Sequence, residues 1–447
     1  MAIMVTVPVA YFQIEAWRGK RAWDAYIADL KAKGTWTDLD SLRPASVSDE
    51  QNFAMAPILQ PFFLDPKDPD YWKKTDWLKL PDQPRNDIQS PANAFSGITD
   101  IQAWQKYLGT DDVLSEVNKL APQLDAFRAA SQRPSAVYPT WLNTDGFIST
   151  NLAKLLNLGQ VMTLRVNAEL AAGQNENAAQ DLVANLRFGR LLAGGPTLTS
   201  ALIGIAIIGE GTESLRMGLE RSQWTDAQLH EIQDELRRAD FIAWQRRGFI
   251  IAEWRMPSLT KKPLASIRWD EKDTLTSKII TFLDLQIPKG WWYQNLLVHD
   301  RYFQSLLPAF QPEAHYFDAE IARQAWDQWL QAYPASSPYT YWGKYTTVNL
   351  SSLALEGAID QIQTDQTLAA CALERYRLAN GKFPEKLDAL IPQFLAKVPT
   401  EVFIKGQPMQ YERLGDNQYR LLSTSVDKAG KTSPVVWNLT VSPGAAR

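Results

Sequence analysis

The residues able to do chemistry are few and spread along the chain. Its histidines are His230, His299 and His315, and none belongs to an HExxH stretch or to a paired His/Cys spacing of the kind that holds zinc, so no metal site is expected. His299-Asp300, and His315 with Glu313 and Asp318, place an imidazole beside carboxylates, the pairing that general acid–base catalysis uses. They are the candidates for any enzymatic reading. The single cysteine, Cys371, falls on the apolar side of a long helix, which leaves no internal disulfide and disfavours an isolated nucleophile. Gly430-Lys431-Thr432 has the ending of a phosphate-binding loop, but position 425 is Ser where that loop needs its leading glycine, and no strand-to-helix context follows. Gly209-Glu210-Gly211-Thr212-Glu213-Ser214 fails the dinucleotide fingerprint at its third glycine, and no Gly-x-Ser-x-Gly elbow occurs. Nucleotide hydrolysis is disfavoured, no cofactor is expected, and no residue is assigned a catalytic, cofactor-binding or metal-binding role.

The elements that must position such residues are mostly helices. Leu152, Leu155, Leu156, Val161, Leu164 and Leu170 recur at helical spacing until Gly173, and Ala178 to Ala193 predicts a second helix after the turn. A third follows from Thr197 to Leu219. Thr225 with Gln228 three residues on is a capping box that opens a fourth. Within the third helix the continuous apolar run Leu198 to Gly209 is too short for a bilayer, so a buried core helix is expected. Arg187 and Arg190 are expected to pair with Glu210 or Glu213 across the second and third helices, because isolated buried charges are costly. The stretch AELAAGQNENAAQDL, Ala168 to Leu182, resembles the helix-turn-helix of a tetratricopeptide repeat, though no second copy lies about 34 residues away.

On either side the signal changes. Prolines from Pro44 to Pro91 exclude long helices there and suggest a segment wrapping a scaffold, followed by helices at Ile101 to Leu108 and Val113 to Ala130. Residues 241–345 carry Trp244, Trp254, Trp269, Trp291, Trp292, Trp326, Trp329 and Trp342, either an aromatic-lined groove or, the commoner use, core filling between irregular segments.

The last hundred residues are the most patterned. Leu355, Ala358, Ile359, Ile362, Ala369, Ala372, Leu373 and Tyr376 share one face of a helix from Thr347 to Asn380 that should stop at Gly381. Pro384 opens a short helix that buries Leu387, Leu390 and Ile391. Met409 to Tyr411 and Gln418 to Leu422 read as strands around Gly415-Asp416-Asn417, with a third strand at Val435 to Leu439. The order long helix, ERYRLANGKFPEKLDAL, VP, GQP, hairpin and SxSxD resembles the C-terminal region of the major pseudopilins of type II secretion systems, and equally the tail of large bacterial proteins that carry the same module. The resemblance spans roughly the last quarter of the chain. It implies an α+β module of long helix and hairpin, a part in secretion or pilus-like assemblies, and a calcium ion in the loop after the hairpin. Two features depart from it. The helix is interior and carries Glu356, Asp360, Asp365 and Glu374, so it cannot span a membrane, and Ser423 to Asp427 offers one carboxylate where calcium takes several oxygen ligands. Packing of Val435, Val436 and Trp437 against the helix is expected to hold that loop.

Composition bounds the rest. With 447 residues, 45% of them hydrophobic, the chain can bury a large core, and 46 Lys plus Arg against 50 Asp plus Glu with no long basic run disfavours a nucleic-acid partner. Met1 to Ile14 is uncharged and is followed by Glu15, Trp17, Arg18, Lys20 and Arg21, an aromatic and basic flank typical of a membrane interface. It reads as a clipped membrane anchor, an interfacial anchor or a buried terminal helix. The predicted architecture is mainly α: an apolar segment and amphipathic helix over 1–33, a Pro-rich wrapping region over 34–145, an irregular helical array over 146–345, and the α+β module over 346–447. The predicted function is a non-catalytic scaffold or binding protein of the bacterial cell envelope, with a protein partner and membrane association through the N-terminus. The alternatives are an enzyme with a polar site in 241–345, and a cytoplasmic location.

Overall fold

The computed structural model describes residues 2–35, 39–42, 44–63, 71–78, 112–138, 152–259, 288–334 and 336–441. Among them the α-helices of more than ten residues are α1 (Ala2–Ala32), α2 (Ala121–Ser131), α3 (Leu152–Ala171), α4 (Asn175–Ala193), α5 (Leu198–Glu220), α6 (Asp226–Leu236), α7 (Phe241–Leu259), α8 (Lys289–Leu306), α9 (Ala319–Ala332) and α10 (Leu350–Asn380). Strands β1 (Phe310–Gln311) and β2 (Tyr316–Phe317) form a minimal hairpin, and β3 (Gln410–Gly415), β4 (Gln418–Val426) and β5 (Thr432–Thr440) form one antiparallel sheet in that order. The protein is mainly α with a small C-terminal sheet, as expected.

Helix α10 runs through the middle. The Asn349 side chain accepts from the Ser352 N–H at 3.1 Å to start it, and Gly381 ends it at φ 77°, where its N–H reaches the Arg377 carbonyl at 2.7 Å. Between Thr364 and Arg375 it is buried on nearly every side, because α5, α6, α7, α9 and the sheet all pack on it. One hydrophobic core therefore joins Val166 and Leu186 of the helical array to Ala369, Cys371, Tyr419 and Leu439 of the C-terminal region.

Helices α3, α4 and α5 form the layer beside it. Gly173, at φ 74°, makes the α3–α4 turn, the predicted capping box of Thr225 with Gln228 forms, and a second one, Thr197 with Ser200, opens α5. Helices α4 and α5 cross where Gly189 meets Gly204: a Cβ on Gly204 would stand 2.3 Å from the Gly189 carbonyl oxygen. That contact explains why the expected pairing of Arg187 or Arg190 with Glu210 or Glu213 does not occur. A seam this close has no room for long charged side chains, so they leave by its flanks. Arg187 and Arg190 approach Glu235 of α6 at 3.8 and 3.2 Å, Glu210 accepts from Gln160 of α3 at 3.3 Å, and Glu213 lies 3.9 Å from Arg216. Helix α5 is long and apolar enough to cross a membrane, yet 56% of its most apolar stretch is buried inside the molecule.

The described parts of the Pro-rich region wrap α3 and α4. Phe53, Phe127 and Phe188 make edge-on ring contacts 5.3 to 6.3 Å apart, and Phe62 and Phe63 join the same core. The helix expected over Val113 to Ala130 is interrupted by a 3₁₀ turn at Asn118–Leu120, just before Pro122. The helix expected at Ile101 to Leu108 lies outside the described residues, as do the side chains of Trp254, Trp269 and Trp342. Trp329 is buried and stacks on Trp326 at 5.2 Å, so this part of the tryptophan set fills core.

In the C-terminal region three expectations need correction. The segment after Pro384 is only a 3₁₀ turn, Leu387–Leu390, and Ile391 is 40% exposed instead of buried. The strands extend beyond the predicted limits, pairing Tyr411 with Leu421 and Leu421 with Trp437. Val436 points outward, 44% exposed, because alternate residues of a strand face opposite sides and Trp437 and Leu439 take the inner one.

Candidate functional site

His299 and Asp300 are consecutive on α8, so their side chains leave the helix about 100° apart and cannot act together. The His299 ring is buried and stacks on Phe303 at 4.6 Å, and burial pushes its pKa down to about 4, which keeps the imidazole neutral. Asp300 turns instead toward Glu253 of α7 and Tyr26 of α1. Glu253 accepts from Gln304 Nε2 at 2.7 Å, and both carboxyl groups are 3% exposed. Burial first, then each acid's nearness to the other, drives the Glu253 pKa up to about 9, while Asp300 is raised by burial to about 6. Two carboxyls in so apolar a place cannot both ionise at neutral pH. The Tyr26 ring lies 5.7 Å from the Arg301 guanidinium and its phenol is raised by burial and by Asp300. The cluster joins three helices.

His315 sits at the tip of the β1–β2 hairpin with φ 49°. Its Nε2 lies 2.7 Å from Asp365 Oδ2, fifty residues away on α10, and neither nearby acid supplies that contact. Asp318 caps α9, accepting from the Glu320 and Ile321 N–H groups at 3.1 and 3.0 Å. The other oxygen of Asp365 accepts from Gln361 Nε2 at 2.9 Å, and Gln361 in turn accepts the Phe241 N–H at 2.7 Å. Burial opposes a charge on His315, but the hydrogen bond and negative charge of Asp365, with Asp240 nearby, outweigh it and raise its pKa. Glu401 is also buried and raised by that burial; its Oε2 accepts the Thr424 N–H at 2.9 Å. The bonds from His315 through Asp365 and Gln361 to Phe241 tie hairpin, α10 and α7 together, and Glu401 separately meets the sheet at Thr424.

A third cluster escaped the sequence reading. Arg165 of α3 reaches Asp125 of α2 at 2.7 Å, Glu169 at 3.4 Å and Asp181 of α4 at 3.4 Å, while Arg128 of α2 binds Asp181 and lies 3.5 Å from Glu169. Glu169 and Asp181 are almost fully buried, and burial with the neighbouring Asp181 holds Glu169 up at about 8. The i,i+4 pair Arg165 and Glu169 on an otherwise apolar helix was the available signal. Of the remaining candidates, His230 is exposed beside Asp234, and Cys371 is fully buried, its thiol pushed up to about 12.

Two hollows among the described residues have side chains of interest on their walls. An open groove of about 410 Å³ lies between the α3–α4 and α5–α6 turns, lined by Gln174, Asn175, Glu176, Gln223, Thr225 and Gln228. A crevice of about 50 Å³ lies between α9, α10 and the β4–β5 turn, with Arg323, Trp326, Asp327 and Lys428 on its walls. Neither is lined by His299, Asp300 or His315. At the β4–β5 turn, Asp427 Oδ1 accepts the N–H groups of Ala429 and Lys431 at 2.9 and 2.8 Å, which closes the loop with Gly430 at φ 82°. The Gly430-Lys431-Thr432 stretch is thus a tight strand turn. Comparison with protein-family models, with curated proteins and with solved structures gives no match for the chain.

Proposed function

We propose that this chain is a non-catalytic scaffold or binding protein of the bacterial cell envelope, linked to secretion or pilus-like assemblies through its pseudopilin-like C-terminal region and membrane-associated through its N-terminal helix. The observation that carries the reading is where the titratable groups are used. Glu253, Asp300 and Tyr26 join α1, α7 and α8; His315 and Asp365 join a hairpin to α10; Arg128, Arg165, Glu169 and Asp181 join α2 to α3 and α4. Each cluster fastens one element to another, and none of its members lines either of the two hollows described above, as expected of a body that presents surfaces. In vivo cross-linking of tagged protein, followed by identification of its partners in the membrane fraction, tests this. A defined envelope partner retained by Asp300→Asn and His315→Gln variants is expected. Folded variants that keep their partners but lose the cellular function would favour the enzyme reading instead.

A further inference from the structure

Helix α1 has two unlike faces. The inner one is locked onto α8: Glu15 is buried, Leu30 is buried, and a Cβ on Gly290 would lie 1.7 Å from the Glu15 carbonyl oxygen, so the two backbones touch. The outer one carries Ile14 and Trp17, 60% and 61% exposed, and continues through Arg21, Ala25 and Ala28, all exposed, while Tyr11, 45% exposed, stands at its edge with its hydroxyl toward Tyr339. The Arg21 guanidinium lies 5.2 Å from the Trp17 ring, and Arg18 lies 4.9 Å from the Tyr339 ring. From Glu15 to Lys33 there are five cations and three carboxylates, a local positive excess in a chain of net charge −4. Asp24 and Asp29 are each taken up by a lysine, Lys20 and Lys33, at 2.5 and 2.7 Å.

A single row of aromatic and aliphatic side chains flanked by guanidinium groups matches the boundary between headgroups and acyl chains, where tryptophan and tyrosine settle and cations meet lipid phosphates. We propose that the outer row of α1 lies flat on a bilayer rich in anionic lipid, Ile14 and Trp17 entering the interface and Arg18, Lys20 and Arg21 meeting the headgroups. This deepens the envelope reading and rests on it. It differs from an anchor made by Met1 to Ile14 alone, because the contact continues past residue 14 along the docked part of the helix and so orients the whole molecule.

Co-sedimentation of the full chain with vesicles of phosphatidylcholine alone and of phosphatidylcholine with phosphatidylglycerol tests it. Binding to the anionic vesicles is expected to exceed binding to the neutral ones at least tenfold, to weaken with added salt, and to fall at least tenfold in the double variant Ile14→Ser, Trp17→Ala. Both side chains are largely exposed, so the variant keeps the wild-type melting temperature. Lys20→Glu with Arg21→Glu should remove the preference for anionic lipid. If wild-type and double variant bind alike, the row is not the contact, while membrane association through other residues stands. If the wild-type protein forms a dimer that the double variant abolishes, and binds no vesicles, a second copy covers the row and the inference falls. Absence of vesicle binding overturns the inference, whereas the cross-linking experiment decides the envelope reading independently.

Discussion

Burying Glu253 and Asp300 side by side makes the ionisation of each depend on the other, and the consequence is a pH dependence of known sign. Both folded-state values, about 9 and about 6, lie above the unfolded values of 4.5 and 3.8. The stability these groups contribute is therefore complete below about pH 4 and is lost as the pH rises through about 6 and then about 9. Glu253→Gln removes the second ionisation while its amide still reaches Asp300. We expect it to raise the melting temperature at about pH 8.5, corresponding to about 1–3 kcal/mol, with little change at about pH 5. An equal effect at both values would show that the carboxyls do not share a proton. His315 works in the same sense, being raised by its partner Asp365: its contribution is present below the unfolded value and disappears as the pH rises through the folded one. His315→Gln should therefore cost stability at about pH 5 and less at about pH 8.5, by thermal melts.

At the scale of elements, the unusual feature is helices that touch backbone to backbone. Gly189 against Gly204 brings α4 onto α5, and Gly19 against Gly290 brings α1 onto α8. Adding one methyl group at either crossing forces the helices apart, since main-chain atoms cannot turn aside as a flexible side chain does. Gly204→Ala is expected to destabilise the whole protein by about 1–3 kcal/mol, because α4 and α5 hold the principal core. Gly290→Ala should act locally. It displaces α1, whose other attachments include Tyr26, Leu30 and Arg18 on the Tyr339 ring, and trypsin should then cut near Arg18 and Arg21 much faster than in the wild-type protein while the melting temperature of the remainder changes little. Unchanged cleavage would mean that the α1–α8 contact is not what holds the helix.

For the molecule as a whole, the continuity of the core across α5, α10 and the sheet predicts one cooperative transition in which helix and sheet signals are lost together. Trp437 is 8% exposed on the inner face of β5, under the Arg216 guanidinium at 5.3 Å, and Trp437→Ala should lower the stability of the entire chain by about 3–5 kcal/mol. A separate, earlier loss of the sheet in that variant would show instead that the C-terminal region folds on its own. Asp427 binds two N–H groups across the β4–β5 turn, so the loop is expected to close without an ion. Melts with excess calcium and with chelator should coincide, and Asp427→Ala should cost about 1–2 kcal/mol.

What could be read along the chain is what depends on neighbours within about four residues. The box at Thr225, the turn at Gly173, the end of α10 at Gly381 and the strand turn at Asp416 are all local: each is a backbone group satisfied by a residue close in sequence, or a positive φ that glycine tolerates. The burial of α5 followed from its interrupted apolar run. Partner choice was not legible, because it depends on residues brought together across great lengths of chain. His315 has acids two and three residues away in the sequence but is held by one fifty residues on, and Arg375 finds Asp226 at a separation of 149. Likewise Arg187 and Arg190 turned to α6 because two glycines close the α4–α5 seam, and nothing in the charge pattern announces how closely two backbones approach. Local hydrogen bonding and periodicity determine elements and their ends; only tertiary packing, through steric fit and the cost of an unpaired buried charge, decides which face meets which and where the polar groups are used.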